Sequence, residues 1–240
     1  MRLDVYLTEH GFCKSRTAAA RLIEAGGASV NGKTAQKPSL SVSETDQISV
    51  SEEKKLKYVG RGGLKLEHAI EAFKLELNGK TCVDIGASTG GFTDCMLQNG
   101  AKMVCAVDVG TAQLDERLKN DPRVVSFEQT DIREFSLEQP VDFIGADVSF
   151  ISQKLILPHI FRLLKSGGEA VVLIKPQFEV GKKSLLTKKG VVRDEGLRLK
   201  TVAEIKAFAE QCGFECIGCE ISPITGGDGN IEYLLGLRKD

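Results

Sequence analysis

The chain has 240 residues, enough for one large domain or for a standard domain plus a small module. Its hydrophobic content of 42% is ordinary for a globular protein, and no apolar run is long enough to span a membrane. The seven cysteines are odd in number and lie mostly in apolar runs such as those around Cys82 and Cys105, which argues against a disulfide framework.

The opening residues, MRLDVYLTEHGF, carry acids at Asp4 and Glu9 and have no signal-type apolar core, so the expected compartment is cytoplasmic. Cys212, Cys216 and Cys219 are spaced C-x3-C-x2-C without a clear fourth ligand, and no metal site is expected there. The formal net charge of -1 hides an uneven spread. Residues 1–38 hold six bases and three acids, residues 54–65 five bases and no acid, and residues 182–200 seven bases and two acids. Basic patches on a nearly neutral chain suggest a polyanionic partner met by one face.

Residues 1–50 read as a small α+β module. Leu3, Val5, Tyr6 and Leu7 open a short helix. Ser15 is the expected N-cap of a second helix, which ends at Gly26-Gly27. Residues 28–33 predict a strand running into an Asn31-Gly32 hairpin turn, and residues 46–50 a further strand. The features R-L-D-x-x-L, S-R-x-x-A, I-x-x-G, V-N-G and K-P-S in this stretch resemble the RNA-binding domain named for the fourth protein of the small ribosomal subunit. The resemblance implies that Lys14, Arg16, Arg21 and Lys33 contact RNA phosphates, which position a protein without reading bases.

Residues 51–60 read as a linker, with Tyr58-Val59 able to clip it to either side. Arg61-Gly62-Gly63 enters a helix over 64–75. Beyond it, strands are predicted at 81–85, 103–108, 124–128, 142–147, 169–174, 214–221 and 231–237. Helices are predicted around 91–99, 112–119, 153–165 and 194–212. Repeated strand–helix units give a mostly parallel sheet covered on both faces. The last two strands have only Pro223 to Gly229 between them, so they must pair antiparallel, giving a mixed seven-stranded sheet.

The most informative segment is DIGASTGGFTD, Asp84 to Asp94, an acid at a strand tip followed by a glycine-rich turn. Its spacing, D-x-G-x-x-x-G-G, departs from the dinucleotide fingerprint G-x-G-x-x-G. It resembles the S-adenosylmethionine loop of Rossmann-like class I methyltransferases. Asp84, Gly86, Ala87, Ser88, Gly90 and Gly91 would then surround the methionine end, with Phe92 packed beneath. Asp108 would hold the ribose hydroxyls, Asp131 the adenine edge, and Gln113 could reach the adenosine side. An NAD enzyme lacks support: the glycine spacing is wrong, and His10, His68 and His159 sit in helical or N-terminal contexts.

After the fourth strand the chain reads Ala146-Asp147-Val148-Ser149-Phe150, without the Pro-Pro-Tyr of exocyclic-amine methyltransferases. The Pro-Cys of base-carbon methyltransferases is also absent. An oxygen acceptor is left, and an alcohol needs a general base. Lys175, at the end of the fifth strand in VVLIKPQFE, is the candidate, because burial and nearby cations favour a neutral amine. Lys65, Asp147, Lys175 and Glu232 together resemble the Lys-Asp-Lys-Glu tetrad of FtsJ-type ribose methyltransferases. That likeness implies that Lys175 is the base, that Asp147 orients it, and that Lys65 and Glu232 place the target ribose.

The front module, VGRGG, DIGASTGGFTD, LIKPQFEVG, GVVRD and GNIEYLL resemble the TlyA family over nearly the whole chain. The resemblance implies transfer of a methyl group to the ribose 2′-hydroxyl of a cytidine in ribosomal RNA. It adds Arg61 and the basic stretch 181–200 to the RNA-facing surfaces. That family has also been called haemolysin, but neither a lytic amphipathic helix nor barrel hairpins are visible here. The sequence is silent on oligomeric state and on which ribosomal subunit is the substrate.

Overall fold

The computed structural model describes residues 1–13, 15–24, 26–50, 57–181, 187, 190–226 and 229–240; of Arg21 and Glu24 it describes the backbone alone. Among the other predicted features, Lys14, most of the linker and much of the basic stretch 181–200 lie outside the described residues. The chain divides into two compact units, Met1–Lys57 and Tyr58–Asp240.

The first unit places α1 (Leu3–Glu9) and α2 (Arg16–Glu24) over a three-stranded antiparallel sheet of order β2-β1-β3. The strands are β1 (Ala28–Val30), β2 (Lys33–Thr34) and β3 (Ile48–Val50). Ser15 receives the Ala18 amide in its expected capping role, at 3.2 Å. Asn31 and Gly32 both have positive φ, 51° and 76°, the backbone that a two-residue hairpin needs to match the strand twist. Leu3, Leu7, Ala19, Leu22, Ile23, Ala28, Ala35 and Val42 form its core.

The second unit begins with α3 (Gly62–Phe73) and continues through β4 (Thr81–Ile85), α4 (Gly91–Gln98), β5 (Met103–Val107), α5 (Glu116–Lys119) and β6 (Val124–Phe127). Next come β7 (Val141–Ala146), α6 (Gln153–Leu163), β8 (Leu164–Ile174), α7 (Pro176–Glu179) and α8 (Glu195–Gln211). The hairpin of β9 (Phe214–Ile221) and β10 (Tyr233–Lys239) completes it. The sheet order is β6-β5-β4-β7-β8-β10-β9. All pairs through β8 are parallel, and β10 runs antiparallel to both β8 and β9.

Alternation along the strands sends side chains to two cores. Val83, Ile85, Ile144 and Val172 meet α6 and α8, whereas Cys82, Phe143, Val171 and Leu234 meet α3 and α4. Tyr58 and Val59 are buried in the second of these cores, and so extend the second unit to the N-terminal side of α3.

Three predicted elements differ. Instead of a helix over 112–119, only Glu116–Lys119 is helical, capped by the Asp115 carboxylate on the Arg117 amide. Ala112 takes a φ of 52° and gives its amide to the Glu128 side chain, which diverts the preceding residues from a helix. Strand β10 starts at Tyr233 rather than 231, while β8 starts five residues earlier than expected, because α6 passes directly into it.

Candidate active site

The carboxyl ends of β4, β5 and β7 converge on one edge of the sheet, where an open parallel sheet binds its ligands. The Asp84 carboxylate, at the tip of β4, receives the Thr93 amide (2.8 Å) and hydroxyl (2.7 Å) on Oδ2. Its Oδ1 is buried with no hydrogen-bond partner among the described residues. Burial, opposed by the two Thr93 bonds and reinforced by the negative charges of Asp147 and Asp108, raises this carboxyl to about 7.

The loop that follows turns at Gly86 (φ 77°) and Gly90 (φ 93°). A side chain on Gly86 would put its first carbon 2.8 Å from the Asp147 carbonyl oxygen, so only glycine lets the two strand ends close up. Asp108 ties the loop to β5, with Oδ2 accepting the Ser88 amide and Oδ1 the Gly110 amide, both at 2.7 Å.

Ala87, Ser88, Ala106, Asp108, Gly110, Gln113, Leu114, Ser126 and Glu128 line a cleft beside the loop. Of the predicted cofactor residues, Ala87, Ser88 and Asp108 meet in it, with Gln113. Phe92 is buried in the core beneath, where its ring meets Gly62 and Gly145. Asp131 does not line the cleft. Arg133 spans both its oxygens at 2.5–3.0 Å and, by those hydrogen bonds, holds its carboxyl down at about 2. Glu128, one residue past β6, is the acid in the lining that the sequence reading passed over. Its signal was its place just after a strand, matching that of Asp108 after β5.

The four tetrad residues come together from four elements. Lys65 lies on α3, Asp147 just after β7, Lys175 just after β8, and Glu232 just before β10. The Lys65 amine reaches Asp147 Oδ2 at 3.2 Å and Glu232 Oε2 at 2.8 Å. The Lys175 amine pairs with Asp147 Oδ1 at 2.5 Å and donates to Ser149 Oγ at 2.9 Å. Gln177 donates to Glu232 Oε1 at 3.3 Å.

Two cations and two anions thus balance in a site where no side chain is more than 18% exposed. Burial alone would raise the Asp147 carboxyl. The charges of Lys65 and Lys175 outweigh it and hold the group below its ordinary value. Asp147 joins the tetrad to the glycine loop, since its amide donates to the Ile85 carbonyl at 3.0 Å. Beside Lys175 lies an aromatic pair, Phe150 on Phe178, with centroids 4.8 Å apart. Phe150 is 89% exposed and sits at a φ of 65°.

Arg61 donates to the Thr225 carbonyl at 2.9 Å, bridging the start of α3 to the loop before β10. In the first unit, Arg16 reaches the buried Asp4 carboxylate at 3.2 Å, and Lys33 is exposed on β2.

A mixed seven-stranded sheet with an antiparallel final insertion and a glycine turn after its first strand defines a Rossmann-like methyltransferase. The FtsJ-like methyltransferase family matches residues 58–239 and the S4 domain matches residues 1–48; the chain belongs to the FtsJ-like methyltransferases. It is 42% identical to the "16S/23S rRNA (cytidine-2'-O)-methyltransferase TlyA" of Mycobacterium tuberculosis, across 99% of this chain and 89% of that one. It is 44% identical to "Hemolysin A" of Brachyspira hyodysenteriae, across 98% of both. A solved structure from Streptococcus thermophilus, named as a hemolysin candidate, superposes with a TM-score of 0.78 at 44% identity and covers all of this chain and 88% of that one. Among the described residues no helix is long and apolar enough to cross a membrane.

Proposed function

We propose that the protein transfers a methyl group from S-adenosylmethionine to the ribose 2′-hydroxyl of a cytidine in ribosomal RNA. The observation that carries this reading is the Lys65–Asp147–Lys175–Glu232 cluster, set against the glycine loop through Asp147. When bound, S-adenosylmethionine supplies an electrophilic methyl group on a positive sulfur. Asp84, Gly86, Ala87, Ser88, Gly90, Gly91 and Asp108 would hold it. The partnerless Asp84 Oδ1 suits the ammonium group of a methionine moiety, and the Asp108 carboxylate at the cleft suits a ribose diol. Phe92 would support the loop from below, and Asp131 would serve the adenine edge once Arg133 yields one of its bonds.

The 2′-hydroxyl is a weak nucleophile, so its proton must leave as the new O–C bond forms. Lys175 Nζ takes that proton once its ammonium, paired with Asp147, has released one to solvent. Asp147 and Ser149 fix the direction of the amine. Lys65 and Glu232 hold the ribose and keep the neighbouring charge balanced. The exposed Phe150 face, backed by Phe178, offers a stacking surface for an unstacked base.

The domain plan that goes with this function is an RNA-binding module over 1–50, a connector and the methyltransferase, with the expected boundary at 60/61 moved back to Tyr58 because Tyr58 and Val59 are buried in the second unit's core. Lys14, Arg16, Arg21, Lys33 and Arg61 would contact phosphates, making binding salt-sensitive. Acting on ribosomal RNA, the protein would work in the cytoplasm. The test is transfer of labelled methyl to isolated ribosomal subunits, followed by mapping of 2′-O-methylated nucleotides. Transfer that Lys175→Ala abolishes supports the proposal. Wild-type rates in Lys175→Ala would overturn the base assignment, and cofactor binding without transfer to any subunit would overturn the activity.

A further inference from the structure

Two segments leave the sheet side by side at the reactive edge, residues 147–153 after β7 and residues 175–179 after β8. Successive contacts tie them together. Lys175 meets Asp147 and Ser149, and Phe178 meets Phe150. Then Glu179 accepts the Ser152 hydroxyl at 2.6 Å and the Gln153 amide at 2.8 Å. Glu179 thus closes the first turn of α6 from a neighbouring element, satisfying an amide the helix cannot pair itself. At its other end, the 147–153 segment is fixed by the Asp147 amide on Ile85. Between these two anchors, Phe150 is held at a φ of 65°, a backbone conformation that side-chain-bearing residues adopt only where their surroundings enforce it.

We infer that Glu179 is a positioning residue for methyl transfer. By pinning Ser152 and Gln153 it holds Ser149 and Phe150 in place, and through Ser149 it sets the aim of the Lys175 amine. The inference rests on Lys175 being the base. Glu179 touches no tetrad residue directly among the contacts described, so its effect must pass through the segment.

The experiment compares Glu179→Ala and Glu179→Gln in the full chain, with Lys175→Ala as a separate control. It measures kcat, the KM for ribosomal RNA, and cofactor affinity by calorimetry. Glu179→Ala is expected to lower kcat about tenfold, as a small misalignment does, with cofactor affinity and the KM for RNA close to wild type. Glu179→Gln keeps an oxygen for the Gln153 amide and a group that can face Ser152, so it should recover most of the rate. If Glu179→Ala fails to fold, Ser152→Ala removes one of the two bonds and should lower kcat roughly threefold. A folded Glu179→Ala with wild-type kcat, or a Gln variant no better than Ala, overturns the inference. Failure of the base reading looks different: Lys175→Ala would then turn over normally, whatever Glu179 does.

Discussion

Replacing Lys65 with Met should cost stability as well as activity. The Lys65 amine is the cation shared by two buried carboxylates, Asp147 and Glu232, with its side chain 9% exposed. Without it, Glu232 keeps, among the described residues, only the Gln177 amide at 3.3 Å, a long bond to a neutral donor. Removing one partner from a buried ion pair costs about 3–5 kcal/mol, because a charge is left without compensation. In a domain of this size each kcal/mol moves the melting temperature by about 2–4 °C, so Lys65→Met should melt roughly 10 °C lower. Adding Glu232→Gln removes the stranded charge and should return much of that loss, while methyl transfer stays abolished. Far-UV melting of the single and double variants, with transfer assays on ribosomal subunits alongside, measures both effects. A Lys65→Met protein melting within about 2 °C of wild type would refute the account, as would a double variant no more stable than the single.

Asp84 gives a pH prediction. Its carboxyl is raised above the unfolded value, so its contribution to stability is fully present below about pH 4 and is lost as pH rises through about 7. Asp84→Asn should therefore melt higher than wild type at mildly alkaline pH and bind S-adenosylmethionine more weakly; equal melting across the pH range would count against a neutral Asp84. A side chain on Gly226 would begin 2.1 Å from Glu232 Oε1, a carboxylate already pinned by Lys65. Gly226→Ala should lower kcat by about ten- to a hundredfold and also lower the melting temperature, because pushing Glu232 aside weakens its pair with Lys65; normal turnover and melting would show that the loop can yield. Phe150→Ala removes a side chain that is 89% exposed, so melting should barely change. Transfer to RNA should nonetheless fall at least fivefold, the lower range of about 1–3 kcal/mol for base–aromatic stacking, and Phe150→Tyr should retain most of the rate.

Much of this was legible in the sequence because it is local. The Asn31-Gly32 turn, the Ser15 cap and the glycine turn after Asp84 each follow from the chemistry of a few adjacent residues. The antiparallel final hairpin followed from a connection too short for a crossover. The tetrad was found by resemblance of motifs, since nothing local marks Lys65 or Glu232 as neighbours. What escaped depends on partners far along the chain. Ser149 and Gln177 matter for contacts 26 and 55 residues away, and Glu179 for a helix start it does not belong to. The helix expected over 112–119 failed for a related reason: the Glu128 side chain, 16 residues on, captures the Ala112 amide.

Strand β10 lies between β8 and β9 although it follows both in the sequence, and it runs against its neighbours. Its opening end therefore meets the finishing ends of the parallel strands, which is how Glu232 comes to face a lysine 167 positions earlier. Until that ribbon slots in, β9 has no place in the sheet, and Lys65 and Asp147 lack their fourth companion. The cluster of Lys65, Asp147, Lys175 and Glu232 is thus complete only once the β9–β10 hairpin has joined the sheet.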